Sequence, residues 1–121
     1  MKTSITKIIL LLFLMRLPFV GHTQNKAIDS LQNILPTQKE DTNKVNTLNA
    51  LSIKRSEFIN GEKAMQCAGE ALSLAKQLNF KKGEAAAWLN IGVAYFIKAN
   101  ISEAFKNANN ALKLLDRKSV V

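Results

Sequence analysis

The side chains that commonly catalyse reactions or bind metals are few in this chain, and they lie far apart. The 121 residues contain one histidine, His22, and one cysteine, Cys67. A catalytic triad or a zinc site needs several such groups close together, and a single cysteine cannot form an internal disulfide bond. Cys67 lies on an alanine-rich helix face, where we expect it to be buried and unreactive. The sequence therefore predicts no nucleophile–base pair and no metal site.

The nine carboxylates are no better arranged for acid–base chemistry. A general acid needs surroundings that raise its pKa, and no acidic residue lies within an apolar run. Glu62 and Glu103 fall in the first turns of predicted helices, where the helix dipole favours an anion. Asp41 is expected to cap a helix, and Glu40 and Asp41 together are interpreted as a solvated turn.

Cofactor and nucleic-acid binding are also disfavoured. The glycines stand singly, whereas a loop that holds a nucleotide phosphate needs several together. The net charge is +8, but the basic pairs Lys54-Arg55, Lys81-Lys82 and Arg117-Lys118 lie in different predicted elements. Nucleic-acid binding needs a clustered basic face. We therefore expect a protein that is not an enzyme, has no cofactor and binds no nucleic acid.

Residues 1–23 have the pattern of a secretory signal peptide. Lys2 and Lys7 precede an uninterrupted apolar run at 8–15, and the small residue Thr23 follows. The run is shorter than the roughly 20 residues that a membrane-spanning helix needs. We expect cleavage after Thr23, export to the periplasm and no membrane insertion afterwards. An uncleaved anchor and a buried N-terminal helix are the alternatives.

The remaining residues have the apolar spacing of α-helices. Apolar side chains recur every three or four residues, and no alternating stretch is long enough for a strand. Pro36, Asn60-Gly61, residues 79–83 and Ala99-Asn100 are predicted breaks. The predicted helices cover about 25–35, 42–58, 62–78, 84–98 and 102–116. The predicted fold class is all-α.

The chain matches itself when it is shifted by about 40 residues, a period typical of repeat proteins. We call this offset the repeat shift. The aligned pairs are Leu48 and Trp88, Leu51 and Ile91, Asn60 and Asn100, Ala64 and Ala104, Ala68 and Ala108, Ala71 and Ala111, and Leu72 and Leu112. The repeated unit is a helix, a short turn and a second helix. Its regularly spaced alanines let two antiparallel helices approach closely.

The second unit resembles a tetratricopeptide repeat (TPR), whose pattern is W-x2-L-G-x2-Y followed by a small-residue helix. The residues that carry the resemblance are Trp88, Ile91, Gly92, Tyr95, Ala104, Ala108 and Ala111. Ala108 departs from the pattern, because an aromatic residue is usual there. In the first unit Ser52 replaces the glycine and Arg55 replaces the tyrosine. The resemblance implies two antiparallel TPR units, about 42–78 and 82–116, in a short α-solenoid within a domain of residues 24–121, after a short N-terminal helix.

The combination of features is similar to the exported TPR sensor regions of bacterial signalling proteins, such as sensor histidine kinases and DNA-binding regulators. These features are the signal peptide, a short helix around positions 28–31, a polar segment at 40–44 and the long repeat period. The similarity implies a non-catalytic protein–protein interaction module, as the sensor or adaptor part of a signalling receptor or a remnant of one.

In TPR proteins the first helix of each unit lines a concave surface that holds a protein or peptide partner. The residues predicted to lie on this surface are Asn46, Asn49, Ile53, Ser56, Leu89, Val93 and Phe96. Alternatively, Leu89, Val93 and Phe96 pack against a neighbouring helix.

The last predicted helix has more apolar side chains than one face can bury, namely Ile101, Phe105, Leu112 and Leu115. TPR arrays usually need about three units with polar ends. We therefore expect one of three situations: the chain is a piece of a longer protein, it pairs with a copy of itself through the last helix, or it folds with a partner. A self-associating structural helical-repeat protein is the alternative function.

Overall fold

The computed structural model describes residues 4–11 and 26–116, and within them it has six α-helices and no strand. This confirms the predicted all-α class. Helix α1 covers residues 4–11, and the other helices are α2 (Lys26–Ile34), α3 (Thr42–Glu57), α4 (Gly61–Gln77), α5 (Lys81–Ile97) and α6 (Ile101–Leu115). A 3-10 turn, Leu35–Thr37, follows α2.

Two of the predicted features lie outside these residues. The predicted cleavage after Thr23 and the pair Arg117-Lys118 belong to segments that the structure does not describe. Across the described ranges, no helix is both long and apolar enough to cross a membrane.

Three turns of the same kind connect α3 to α6. Ile59, Asn79 and Ala99 are evenly spaced along the chain and have φ values of 57°, 53° and 60°. After each of them, a backbone N–H donates to the carbonyl five positions earlier, from Asn60 to Arg55, Phe80 to Ala75 and Asn100 to Tyr95. This is the Schellman arrangement of a helix end. Because the turns are so short, consecutive helices run antiparallel.

Side chains cap three of the helices. The carboxylate of Asp41 accepts hydrogen bonds from the backbone N–H groups of Asn43 and Lys44 at the start of α3. Asn60 and Asn100 accept equivalent bonds at the starts of α4 and α6. The predicted capping role of Asp41 is confirmed, and the two asparagines that the repeat shift pairs have the same function.

The turn predicted over residues 79–83 is confirmed only at Asn79 and Phe80, because α5 already begins at Lys81. The other predicted helix ends agree with the structure to within one position. Gly83 lies inside α5, where a Cβ atom would clash with the Phe80 ring and would lie 2.7 Å from Cγ1 of Val45 on α3. This glycine therefore permits close packing between two helices and does not form a turn.

The core lies where α3, α4 and α5 meet. Its buried residues are Val45, Leu48, Ala71, Leu74, Ala75 and Ala87. Each helix from α2 onward packs against the next, and α3 also contacts α5. The repeat shift relates two close contacts within the helix pairs. Ser52 donates a 2.7 Å hydrogen bond to the carbonyl of Ala64, and a Cβ at Gly92 would lie 3.1 Å from the carbonyl of Ala104.

Candidate functional site

An apolar groove of about 280 Å³ runs between α5 and α6. Its lining residues are Leu89, Gly92, Val93 and Phe96 from α5, with Ile101, Ala104, Phe105 and Ala108 from α6. Phe96 and Phe105 are 64% and 68% exposed. We call this surface the α5–α6 groove.

Helix periodicity explains how the sequence builds the groove. Leu89, Val93 and Phe96 follow one another at spacings of four and three, so they lie on one face of α5. Ile101 and Phe105 do the same on α6. Between these larger side chains, Gly92 and Ala104 are small and in close contact, and they form the base of the groove. The result is an apolar channel between aromatic walls.

The equivalent face of the first unit holds a helix. Under the repeat shift, Leu89 corresponds to Asn49 and Ile101 corresponds to Gly61. Asn49 donates a 3.2 Å hydrogen bond to the carbonyl of Gly83, and a Cβ at Gly61 would lie 3.2 Å from the carbonyl of Ala94. Gly83 and Ala94 both belong to α5. The α5–α6 groove is therefore equivalent to the surface of the α3–α4 pair on which α5 packs. No helix of residues 26–116 covers the α5–α6 groove in the same way.

The structure divides the predicted partner-binding residues into two groups. Leu89, Val93 and Phe96 come together in the α5–α6 groove. Asn46 and Ile53 are exposed and Ser56 is half-buried, but all three lie on α3 and do not line this groove. The groove instead includes the α6 residues Ile101 and Phe105, which the sequence analysis assigned to a separate apolar edge.

Asn49 requires a correction. It is only 6% exposed, and besides its bond to Gly83 it accepts a 3.0 Å hydrogen bond from Asn90. Asn49 therefore joins α3 to α5 and is not available to a partner. A polar residue that faces away from its own partner helix looks exposed in the sequence, and only the packing of the next unit buries it.

The TPR-signature residues lie in contacts between helices. Ile91, Gly92 and Ala111 are buried, whereas Trp88, Tyr95, Ala104 and Ala108 are half-buried. The two aromatic residues of the signature, Trp88 and Tyr95, are therefore only partly buried and not fully part of the core. The ammonium group of Lys76 lies 5.1 Å from the centre of the Trp88 ring, a distance typical of a cation–π contact.

A second concavity, which we call the α2 cleft, lies between α2, the 3-10 turn, α3 and α4. Its two adjoining parts have volumes of about 450 and 250 Å³, and both include Gln32, Arg55 and Lys63. Cys67 lines the larger part and is buried, as predicted. Burial raises the pKa of the Cys67 thiol, nearby Arg55 lowers it, and Glu70 adds to the rise. A thiol with a raised pKa is a poor nucleophile at neutral pH.

Among the described residues, no three His, Cys, Asp or Glu side chains come together in a way that could hold a metal ion. Comparisons with family models, with curated proteins and with solved structures found no match. The function must therefore be inferred from the chain's own two surfaces, the α5–α6 groove and the α2 cleft.

Proposed function

We propose that the protein is a non-catalytic helical-repeat module that binds an amphipathic helix of a partner protein in the α5–α6 groove. The observation that carries this proposal is the repeat relationship between Asn49 and Leu89. In the first helix pair, the face around Asn49 packs against α5. The face around Leu89 has the equivalent position in the second helix pair and consists of apolar side chains. Helix-in-groove recognition uses such a channel and anchors spaced along one helix face.

The differences between the two faces define the partner's chemistry. The first unit presents polar Asn49 and small Gly61 to α5, whereas the second presents Leu89 and Ile101 at those positions. A helix that binds the second face therefore needs apolar residues where α5 has Asn90. Because residues 24–121, which remain after the proposed cleavage, have a net charge of +5, acidic residues on the outer face of the partner helix would favour the encounter.

The narrower assignments are part of the same proposal. We propose that the two helix pairs are TPR units and that the chain is an exported sensor or adaptor of a bacterial signalling system. The supporting features are the motif around Trp88 and Gly92 and the signal-like pattern of residues 1–23. N-terminal sequencing of the periplasmic protein tests the export step, and the expected first residue is Gln24. An intact Met1 in that fraction would contradict cleavage.

Selection from a library of helical peptides about 20 residues long tests the binding function. Peptides selected on the wild-type protein should lose affinity for the double variant Phe96→Asp and Phe105→Asp. They should bind Ile53→Asp as tightly as wild type, because Ile53 lies on α3 outside the groove. Equal binding to all three proteins, or failure to select any helix, would refute the groove assignment.

A self-associating structural protein is the second candidate. Its support is the exposed apolar strip of Phe105, Leu112 and Leu115, which continues along α6 beyond the groove. Light scattering after size-exclusion chromatography distinguishes the two functions. A wild-type dimer that becomes monomeric in Leu112→Asp favours self-association, whereas a wild-type monomer leaves the surface free for a partner helix.

A further inference from the structure

Arg55 on α3 is a buried cation without a partner among the residues that the structure describes. It is only 9% exposed. Its Nε atom is closed off from solvent and has no hydrogen-bond acceptor, and none of the ion pairs found within 26–116 includes it. A buried ion without a counter-charge or hydrogen bonds is costly to the folded state.

The repeat shows that the fold itself does not need a charge at this position. Under the repeat shift Arg55 corresponds to Tyr95 on α5, whose side chain is an uncharged ring. The neighbouring Lys54 is half-buried, and its ammonium group pairs with Glu57 at 3.0 Å. Of these two adjacent cations, only Arg55 points into the protein, where it lines both parts of the α2 cleft.

The other residues that line the α2 cleft indicate which kind of ligand could pair with Arg55. Its apolar lining residues are Leu35, Pro36, Leu48 and Leu51, of which Leu48 and Leu51 are almost completely buried. Lys63 supplies a second cation in both parts of the cleft, and Gln32 supplies an amide. Glu70 lines the larger part and Asp29 the smaller. These two carboxylates oppose a multiply charged anion, so the cleft suits a single negative charge.

We propose that the α2 cleft binds a small monocarboxylate with an apolar body. The carboxylate accepts hydrogen bonds from the guanidinium of Arg55, which has the planar geometry for such a pair. Lys63 adds a second positive charge, and the apolar body lies along Leu35 and Pro36, which are the more accessible apolar residues of the cleft. This site is separate from the α5–α6 groove and does not depend on the function proposed for it.

Octanoate is a suitable probe, and calorimetric titration and thermal unfolding are the measurements. Octanoate at ten times its Kd should raise the Tm of the wild-type protein by roughly 5–10 °C. Octanamide has the same apolar body without the charge and should give no comparable rise. Arg55→Met should weaken octanoate binding about 10- to 100-fold, while Lys54→Met should bind it like wild type.

Three results would overturn the proposal. One is the absence of octanoate binding to the wild-type protein, and another is equal binding of octanoate and octanamide. The third is a rise in Tm with inorganic phosphate that octanoate does not produce, which would indicate a site for inorganic anions. These comparisons use only the wild-type chain, so they remain decisive if Arg55→Met fails to fold.

Alkylation of Cys67 locates the bound probe. It is the chain's only cysteine, and it lines the same cleft as Arg55. Octanoate should slow the reaction of Cys67 with iodoacetamide in the wild-type protein, and at the same concentration it should slow that reaction much less in Arg55→Met, in proportion to the weaker binding. Binding without protection of Cys67 would place octanoate elsewhere and contradict the proposed site.

Discussion

Asn90 on α5 donates a 3.0 Å hydrogen bond to the side-chain oxygen of Asn49 on α3, although the two residues are 41 positions apart. The Asn49 amide then donates to the carbonyl of Gly83 at 3.2 Å. Both asparagines are buried. Because this polar chain connects the first helix of one unit to the first helix of the next, it fixes how the second unit sits on the first.

We expect Asn49→Ala and Asn90→Ala each to lower the free energy of unfolding by about 1–3 kcal/mol, because each leaves buried polar groups unpaired. The double variant should show a coupling energy of about 1 kcal/mol. Urea unfolding followed by circular dichroism measures these values. Asn46→Ala, at an exposed position on the same helix, is the control and should change stability by less than about 0.5 kcal/mol. Additive losses would contradict a direct bond.

The two glycines at positions 69 and 83 should respond to alanine in opposite ways. Gly83→Ala forces a methyl group against Val45 and Phe80 and should cost about 1–3 kcal/mol of stability. Around Gly69, the space that a Cβ would fill is open. Gly69→Ala should therefore stabilise α4 by about 0.5–1 kcal/mol. A stabilising Gly83→Ala would mean that α5 does not approach α3 this closely in solution.

Ile59 is a strained position on the surface. It has a φ of 57°, which is unfavourable for a β-branched residue, and it is 76% exposed. Ile59→Gly should therefore raise the free energy of unfolding by about 1 kcal/mol. Ile53→Gly, in the regular part of α3, should lower it. If both changes destabilise the protein, the Schellman turn at Ile59 is not formed as described.

Arg55→Met should stabilise the ligand-free protein by about 1 kcal/mol or more, because it replaces a buried unpaired charge with an apolar chain. Lys54→Met should have little effect, since exposed ion pairs contribute little. Chemical unfolding without added carboxylates tests this. A clear loss of stability in Arg55→Met, matched by an equal loss in Glu70→Gln, would show that Glu70 pairs with Arg55 in solution.

Phe105 should matter for binding much more than for folding. Its side chain is mostly exposed, so Phe105→Ala should change the free energy of unfolding by less than about 0.5 kcal/mol. The same change should weaken a helix bound in the α5–α6 groove by about 2 kcal/mol or more, as for aromatic anchors elsewhere. Urea unfolding and calorimetric titration with a selected peptide measure the two effects. A large loss of stability would show that Phe105 packs inside the chain.

The helices were predictable from sequence because apolar spacing and helix-breaking residues such as Asn60-Gly61 are local signals. The start of α5 could not be predicted, because a glycine such as Gly83 is typical both of a turn and of a close contact between two helices. Asn49 was misplaced for a similar reason, since it bonds to Gly83 in the first turn of α5, a segment predicted to be a turn. Arg55 was recognisable as a departure from the repeat, but its burial beside α2 depends on packing that no local pattern encodes.

The sequential packing of the helices also determines how readily each helix unfolds locally. Helix α6 packs mainly on α5, whereas α4 lies between two neighbours, so α6 should exchange its amide hydrogens fastest among α3 to α6. A helix bound in the α5–α6 groove would give α6 a second neighbour. In an array of nearest-neighbour contacts, stabilising the last helix also stabilises the helix beside it, and each further helix to a smaller extent. Binding of a partner helix should then slow amide hydrogen exchange in α6 most strongly and in α5, α4 and α3 to progressively smaller extents.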